Sequence, residues 1–341
     1  KPQIGFLQEA IRWWDRWLKG INNGCETDPD YRVYVMKGEP PKSCYNYRDG
    51  YWIKEDSWSS KARKNKKLYL RSNNALSFSN KKNKYQLGII DSPQHCGLKG
   101  GEYCAIWLGP ELPGDQRLDD AFSLCFDTNA LSLEDDIVGS PELTVTLEAN
   151  SPNGQLAVRL CDVFPDGKSS RITYGILNLR FRESFDSPKN IPIGKEFTVK
   201  IKLDHIAYKL PKGNKLRLSL SNAYWPLVWP VNNPAKLVVK GGYLSLPLRQ
   251  RATSDEWVFP ESVASKPWQG KEIRKPRNKR QVLFDETTDE VFLEIEDDFG
   301  SYKDRKNKLV ISSTAREKWS IHPYDPLSAK GETHWTEERS R

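Results

Sequence analysis

The sequence is poor in the residues that carry out most chemistry. It has four histidines, six cysteines and one methionine, Met36, in 341 residues. No G-x-S-x-G turn, H-E-x-x-H helix, G-x-G-x-x-G loop or Walker loop occurs. That leaves the common local signatures of serine hydrolases, zincins, dinucleotide enzymes and phosphate binders without a match. No cysteine pair is spaced C-x-x-C, so no zinc ribbon is expected and no metal residues are assigned. No apolar run of about 18 residues is present, which excludes a membrane-spanning helix. The sequon N-x-S/T is also missing. Together with Cys125 and Cys161 in apolar strand patterns, this favours reduced thiols and a cytoplasmic setting. The first residue is Lys1, and a helix pattern begins almost at once, so an N-terminal truncation is expected.

Charge and aromatic residues, by contrast, are plentiful. The formal net charge is +8, the charged fraction 29% and the mean hydropathy −0.70. Between Ser57 and Ile90 lie Lys61, Arg63, Lys64, Lys66, Lys67, Arg71, Lys81, Lys82 and Lys84, with no acid among them. Such a run suits nucleic acid when aromatics are interleaved. Tyr69, Phe78 and Tyr85 are sparse, and a solvated hairpin is the favoured reading; no nucleic-acid partner and no membrane are assigned.

Periodicity gives the organisation. Leu7, Ala10, Ile11, Trp14, Trp17, Leu18 and Ile21 recur at three and four, which predicts one amphipathic helix over Pro2–Ile21. The rest reads as β. Strands are expected at Tyr31–Val35, Ser123–Asp127, Leu143–Ala149, Leu156–Val163, Ile172–Phe181, Phe197–Leu203, Leu216–Ser221 and Leu237–Val239. Turn residues such as Pro165-Asp166-Gly167 and Pro211-Lys212-Gly213 separate them. Strands at this spacing without helices between them predict a sandwich or jelly roll. The expected division is a terminal helix over 1–24, a jelly roll over 25–250, a linker over 251–280 and a β extension, expected incomplete, over 281–341.

Three clusters hold side chains suited to chemistry. His205 with Ser219 or Ser221 and an aspartate reads as structure rather than a triad. Asp119 and Asp120 have the chemistry of an acid–base pair or a calcium site. The favoured reading is a loop in which Arg117 pairs with a carboxylate ahead of the strand at Ser123. Tyr224, Trp225, Pro226 and Trp229 form an aromatic knot that packs a sandwich end or stacks on a sugar. A carbohydrate-binding jelly roll is therefore the alternative function.

Four segments carry a family resemblance: GFLQEAIRWWDRWLKG (Gly5–Gly20), ELPGDQRLDDAFSLCFDT (Glu111–Thr128), LAVRLCDVFPDGKSSRITYGILNL (Leu156–Leu179) and KLRLSLSNAYWPLVWP (Lys215–Pro230). In this order they resemble the C-terminal region of the cocaine esterase and X-prolyl dipeptidyl-peptidase (CocE/NonD-type) serine hydrolases. The tail Lys318–Arg341 is similar to an extra β region of some members. The resemblance implies a galactose-binding-like jelly roll, preceded by the last helix of an α/β-hydrolase domain. It implies that the catalytic serine, aspartate and histidine all precede that helix, so no catalytic residue is assigned here. It further implies that the loop before GDQR, with Cys104, Ile106 and Trp107, walls the substrate pocket. In the complete protein the substrate would be a small ester, amide or peptide, and no cofactor is expected.

Overall fold

The computed structural model describes residues 4–55, 57, 62–80, 86–105, 109–250, 255–266, 268 and 270–341. The hairpin at its centre shows how the sequence sets the fold. Strand Gln155–Val163 pairs antiparallel with Ser169–Asn178 across a turn in which Gly167 takes φ +85°. All nine residues of Gln155–Val163 are buried. Leu156, Val158 and Leu160 face the main core, while Ala157, Arg159 and Cys161 occupy the opposite face. Strands Lys215–Ser221 and Leu124–Asp127 complete this four-stranded sheet.

A ten-stranded sheet, counted among the described residues, packs against it. Strand Glu142–Ala149 lies between Glu196–Lys202 and Leu237–Arg249, and its burial alternates strictly. Leu143, Val145 and Leu147 point inward, against Leu156, Val158, Leu160, Leu218 and Leu220 of the smaller sheet. The sandwich core is mostly leucine and valine, packed between two sheets of alternating pattern. Tyr31–Lys37 joins Ile206–Leu210 in parallel and Gly50–Glu55 in antiparallel.

Several boundaries move for local reasons. The expected strand to Phe181 ends at Asn178, whose side chain accepts the Arg180 N–H at 3.1 Å and starts a 3-10 turn over Leu179–Phe181. The strand expected to stop at Val239 continues to Arg249. Its pattern is interrupted at Gly241 and Gly242, where the register slips. Arg63–Leu70 is a strand, although its lysines obscure the alternation. The linker expected over 251–280 is corrected in part: Gly270–Arg274 and Arg277–Phe284 are strands. Arg277–Phe284 has its cations at one end and Val282, Leu283 and Phe284 in one consecutive run, and Gly270–Arg274 has a single apolar side chain, Ile273, so neither shows a period-two signal.

These two strands belong to a third sheet, with Val291–Asp304, Val310–His322 and Asp325–Ser340. It packs on the sandwich rather than standing apart. Val291, Leu293, Ile295 and Ile321 meet Leu98 and Trp225 in a second apolar cluster.

The N-terminal helix, Phe6–Lys19, ends at Gly20 in the left-handed region. It contains no buried residue. No described helix is long and apolar enough to cross a membrane.

Candidate functional site

The outer face of the smaller sheet carries charge where a sandwich edge would ordinarily meet water. Arg159 lies in the middle of the buried strand Gln155–Val163 and Arg217 on its neighbour. Residues 92–99 and 114–123, with the short helix Arg117–Ala121, lie over them: Gln116 and Ser123 accept from Arg159, and Asp119 accepts from the Gly97 and Lys99 N–H groups. This cover is fixed by backbone contacts. Trp225 N–H donates to the Cys96 carbonyl at 2.8 Å, and the Ser92 N–H donates to Asn222 at 2.7 Å. Gly97 sits at φ +119°, and a Cβ there would fall 2.6 Å from the Trp225 carbonyl oxygen. Only glycine fits that approach.

Asp119 and Asp120 act at the base of this cover. Asp119 accepts the backbone N–H groups of Gly97 at 3.0 Å and Lys99 at 2.9 Å. Burial raises its pKa, and Arg159 together with those two N–H groups opposes the rise. Asp120 accepts from Ser219 at 2.7 Å and Ser169 at 2.8 Å, and it pairs with Arg159 and Arg217, each at 3.1 Å. Arg217 also forms a two-pronged pair with Asp127 at 2.7 and 2.8 Å. Arg159 donates further to Gln116 at 3.0 Å and Ser123 at 2.8 Å.

This arrangement decides the chemistry. The Asp120 carboxylate has four donors, two of them cationic, and its oxygens are saturated. It cannot accept a proton from substrate or hold a calcium ion without dismantling the network. Arg117 pairs with Asp115 at 2.7 Å, as the loop reading expected. Ser219 donates to Asp120, and Ser221 donates to the Ala223 carbonyl at 2.9 Å. Neither bond involves His205. No group of three or more metal-ligating side chains occurs among the described residues.

The aromatic knot is corrected as a sugar platform: Tyr224 and Trp225 are buried, and only Trp229 is exposed. Trp225 is instead the anchor of the third sheet. Of the expected pocket-wall residues, Cys104 is exposed and unpaired. Ile106 and Trp107 lie outside the described residues. A cleft of about 560 Å³ lies near this loop, between Pro41–Cys44, Leu98–Gly101, Pro110–Asp115 and Arg280–Val282. Arg280 of the third sheet forms an ion pair with Glu102 of the loop.

The thiols divide by burial. Burial pushes Cys96 up to about 12 and Cys125 up to about 11, and it raises Cys161 as well. Such thiols are not nucleophiles at neutral pH. The sequence reading passed over Arg159 and Arg217, although the signal was present: each is a cation flanked by apolar strand residues, Val158 and Leu160 about Arg159, and Leu216 and Leu218 about Arg217.

Comparison with known proteins places this arrangement. The cocaine esterase of Rhodococcus sp. (strain MB1 Bresler) is 26% identical over 122 residues, which is 35% of this chain and 21% of that protein. An aminopeptidase from a marine sediment Thaumarchaeota archaeon superposes with a TM-score of 0.58 at 15% identity, over 71% of this chain and 44% of that one. A CocE/NonD family hydrolase from Staphylococcus aureus gives a TM-score of 0.53 at 13% identity, over 71% and 45%. The chain thus spans about a fifth of the curated relative and under half of these structures. At these identities the structural likenesses establish the fold. Residues 23–264 match the family model described as the X-Pro dipeptidyl-peptidase C-terminal non-catalytic domain, and the chain belongs to that family.

Proposed function

We propose that this chain is the C-terminal part of a serine hydrolase of the acyl-esterase or X-prolyl dipeptidyl-peptidase type. Its galactose-binding-like jelly roll packs on an α/β-hydrolase domain and closes one side of the substrate pocket. The observation that carries this reading is the N-terminal helix, which is mounted inside out. Its polar side is tied to the sandwich: Arg12 pairs with Asp28 at 2.6 Å, Arg16 with Glu26 at 3.0 Å and Glu9 with Arg32 at 3.3 Å. Its apolar side faces water, with Leu7 71% and Leu18 74% exposed beside Ile11, Trp14 and Trp17. Burying each such side chain stabilises by about 1.5–3 kcal/mol. A stripe of this width is a docking surface, and the non-catalytic domain match begins only at residue 23, which leaves the helix outside that domain, where the last helix of a catalytic domain would lie.

Catalysis then belongs to the partner domain. A serine attacks an ester or amide carbonyl, a histidine takes its proton, and backbone N–H groups hold the oxyanion. The jelly roll contributes the loop with Cys104, Ile106 and Trp107, which excludes water from the acyl side. The substrate is a small ester, amide or peptide.

The complete gene provides the test. A preceding frame with G-x-S-x-G, followed by a histidine ahead of Lys1, supports the reading. In the complete protein, the paired change Trp14→Lys and Leu18→Lys is expected to lower kcat/KM on an activated acyl ester by at least about tenfold. Unchanged turnover would refute the docking role. Hydrolysis by the present chain alone, abolished by a serine-directed fluorophosphonate, would refute the non-catalytic one.

A further inference from the structure

The solvent face of the larger sheet is built differently from an ordinary wetted surface. Cross-strand register aligns its outward side chains in rows. Tyr69, Tyr243, Thr144 and Lys200 stand side by side across four strands. The next row holds Gly241, Thr146 and Thr198, with the two threonine hydroxyls 2.9 Å apart. The row on the other side holds Lys67, Ser245, Glu142 and Lys202. The two tyrosine rings touch, with centroids 5.8 Å apart and planes inclined at 53°. Lys67 lies 4.3 Å above the Tyr243 ring, and the Arg71 guanidinium lies 5.6 Å from the Tyr69 ring. A shallow cleft of about 480 Å³ runs between Tyr69, Arg71, Thr144, Thr146, Lys240 and Tyr243. Gly241 leaves its centre open, since a Cβ there would meet nothing within 4 Å.

We propose that this face binds an acidic polysaccharide, one sugar ring lying on the Tyr69–Tyr243 platform and its carboxylate or sulfate meeting Lys67, Arg71 and Lys200. Three physical features favour it. The apolar face of a pyranose stacks on tyrosine, whose ring also carries a polar hydroxyl. Thr146 and Thr198 present exposed hydroxyls that both donate and accept, as sugar hydroxyls do. The charge balance is cationic: Lys67, Arg71, Lys200, Lys202 and Lys240 stand in or beside these rows against Glu142, Glu148 and Glu196. Lys240 is neutralised by Glu148 at 2.8 Å, so the uncompensated charge falls beside the tyrosines.

A single-stranded nucleic acid fits less well. It stacks successive bases on successive faces, whereas the two tyrosines pack together as one platform. The inference does not depend on the catalytic partner: the N-terminal helix is tied to Arg32 of Tyr31–Lys37, which the sheet order places three strands away from Leu237–Arg249.

The experiment is affinity electrophoresis of the full chain through gels containing polygalacturonate, neutral dextran or oligothymidylate. Retardation by polygalacturonate is expected. Tyr243→Ala is expected to weaken it about tenfold, and Tyr243→Phe to restore it. Lys67→Gln with Lys200→Gln is expected to weaken it and to flatten its dependence on salt between about 50 and 200 mM. These side chains are at the surface, so matching thermal midpoints will confirm the fold of each variant. No retardation, equal retardation by dextran, tighter binding of oligothymidylate, or full binding by Tyr243→Ala would each overturn the proposal.

Discussion

Asp162 shows how one buried carboxyl couples the two sheets to pH. It ends the central strand of the smaller sheet and accepts the Tyr208 hydroxyl at 2.8 Å and the Asn214 amide at 2.7 Å. Burial pushes its pKa up to about 6, against the pull of those two donors and of Arg48. The folded state therefore holds a proton that the unfolded chain has already released. The stabilisation is complete below about pH 4 and is lost as pH rises to about 6. Thermal or urea unfolding should show Asp162→Asn gaining about 2–3 kcal/mol relative to the parent between these limits. A constant difference across that window would remove the coupling. Asp120, paired with Arg159 and Arg217, holds the covering residues down on the smaller sheet.

Strands read well where their two faces differ, and poorly where they do not. Glu142–Ala149 alternates residue by residue, and its assignment from the sequence needs almost no correction. Arg63–Leu70 and Arg277–Phe284 form equally good ladders, yet charged side chains on exposed positions conceal them. The ladder bonds are backbone bonds, which composition does not report. The helix was visible from its apolar spacing, but the sense of its mounting was not: which face meets the sandwich depends on Asp28, Glu26 and Arg32, residues outside it. Core and surface positions of a strand should differ sharply. Leu160→Ala, fully buried between the sheets, should cost about 2–5 kcal/mol in chemical denaturation. Thr198→Ala on the solvent face should stay within about 0.5 kcal/mol.

The molecule as a whole is a sandwich with a third sheet fastened to its side, and the fastening is small. Leu98 and Trp225 meet Val291, Leu293, Ile295 and Ile321, reinforced by Gln94 N–H donating to the Pro323 carbonyl at 2.8 Å. The family match ends at residue 264, so this sheet is an addition to the common domain. Removing its anchor should release it without unfolding the rest. Leu293→Ala is expected to open the segment 255–268 to limited proteolysis, leaving a resistant core of about the first 250 residues. Equal protease resistance in parent and variant would show that the sheet is held by other contacts.

The amino-acid order alone settled that this is a β protein with one amphipathic helix, and it carried the family likeness in four segments. Those features rest on periods of two and of three to four, which need only neighbours along the chain. Three-dimensional packing settled the rest. It saturated Asp120 with donors from three distant strands, chose packing over sugar stacking for Trp225 and made it an anchor of the third sheet, and aligned Tyr69, Tyr243, Thr144 and Lys200 in one row. Such groupings depend on which strands lie side by side and in what register, and side-chain alternation along a single strand does not encode its neighbours.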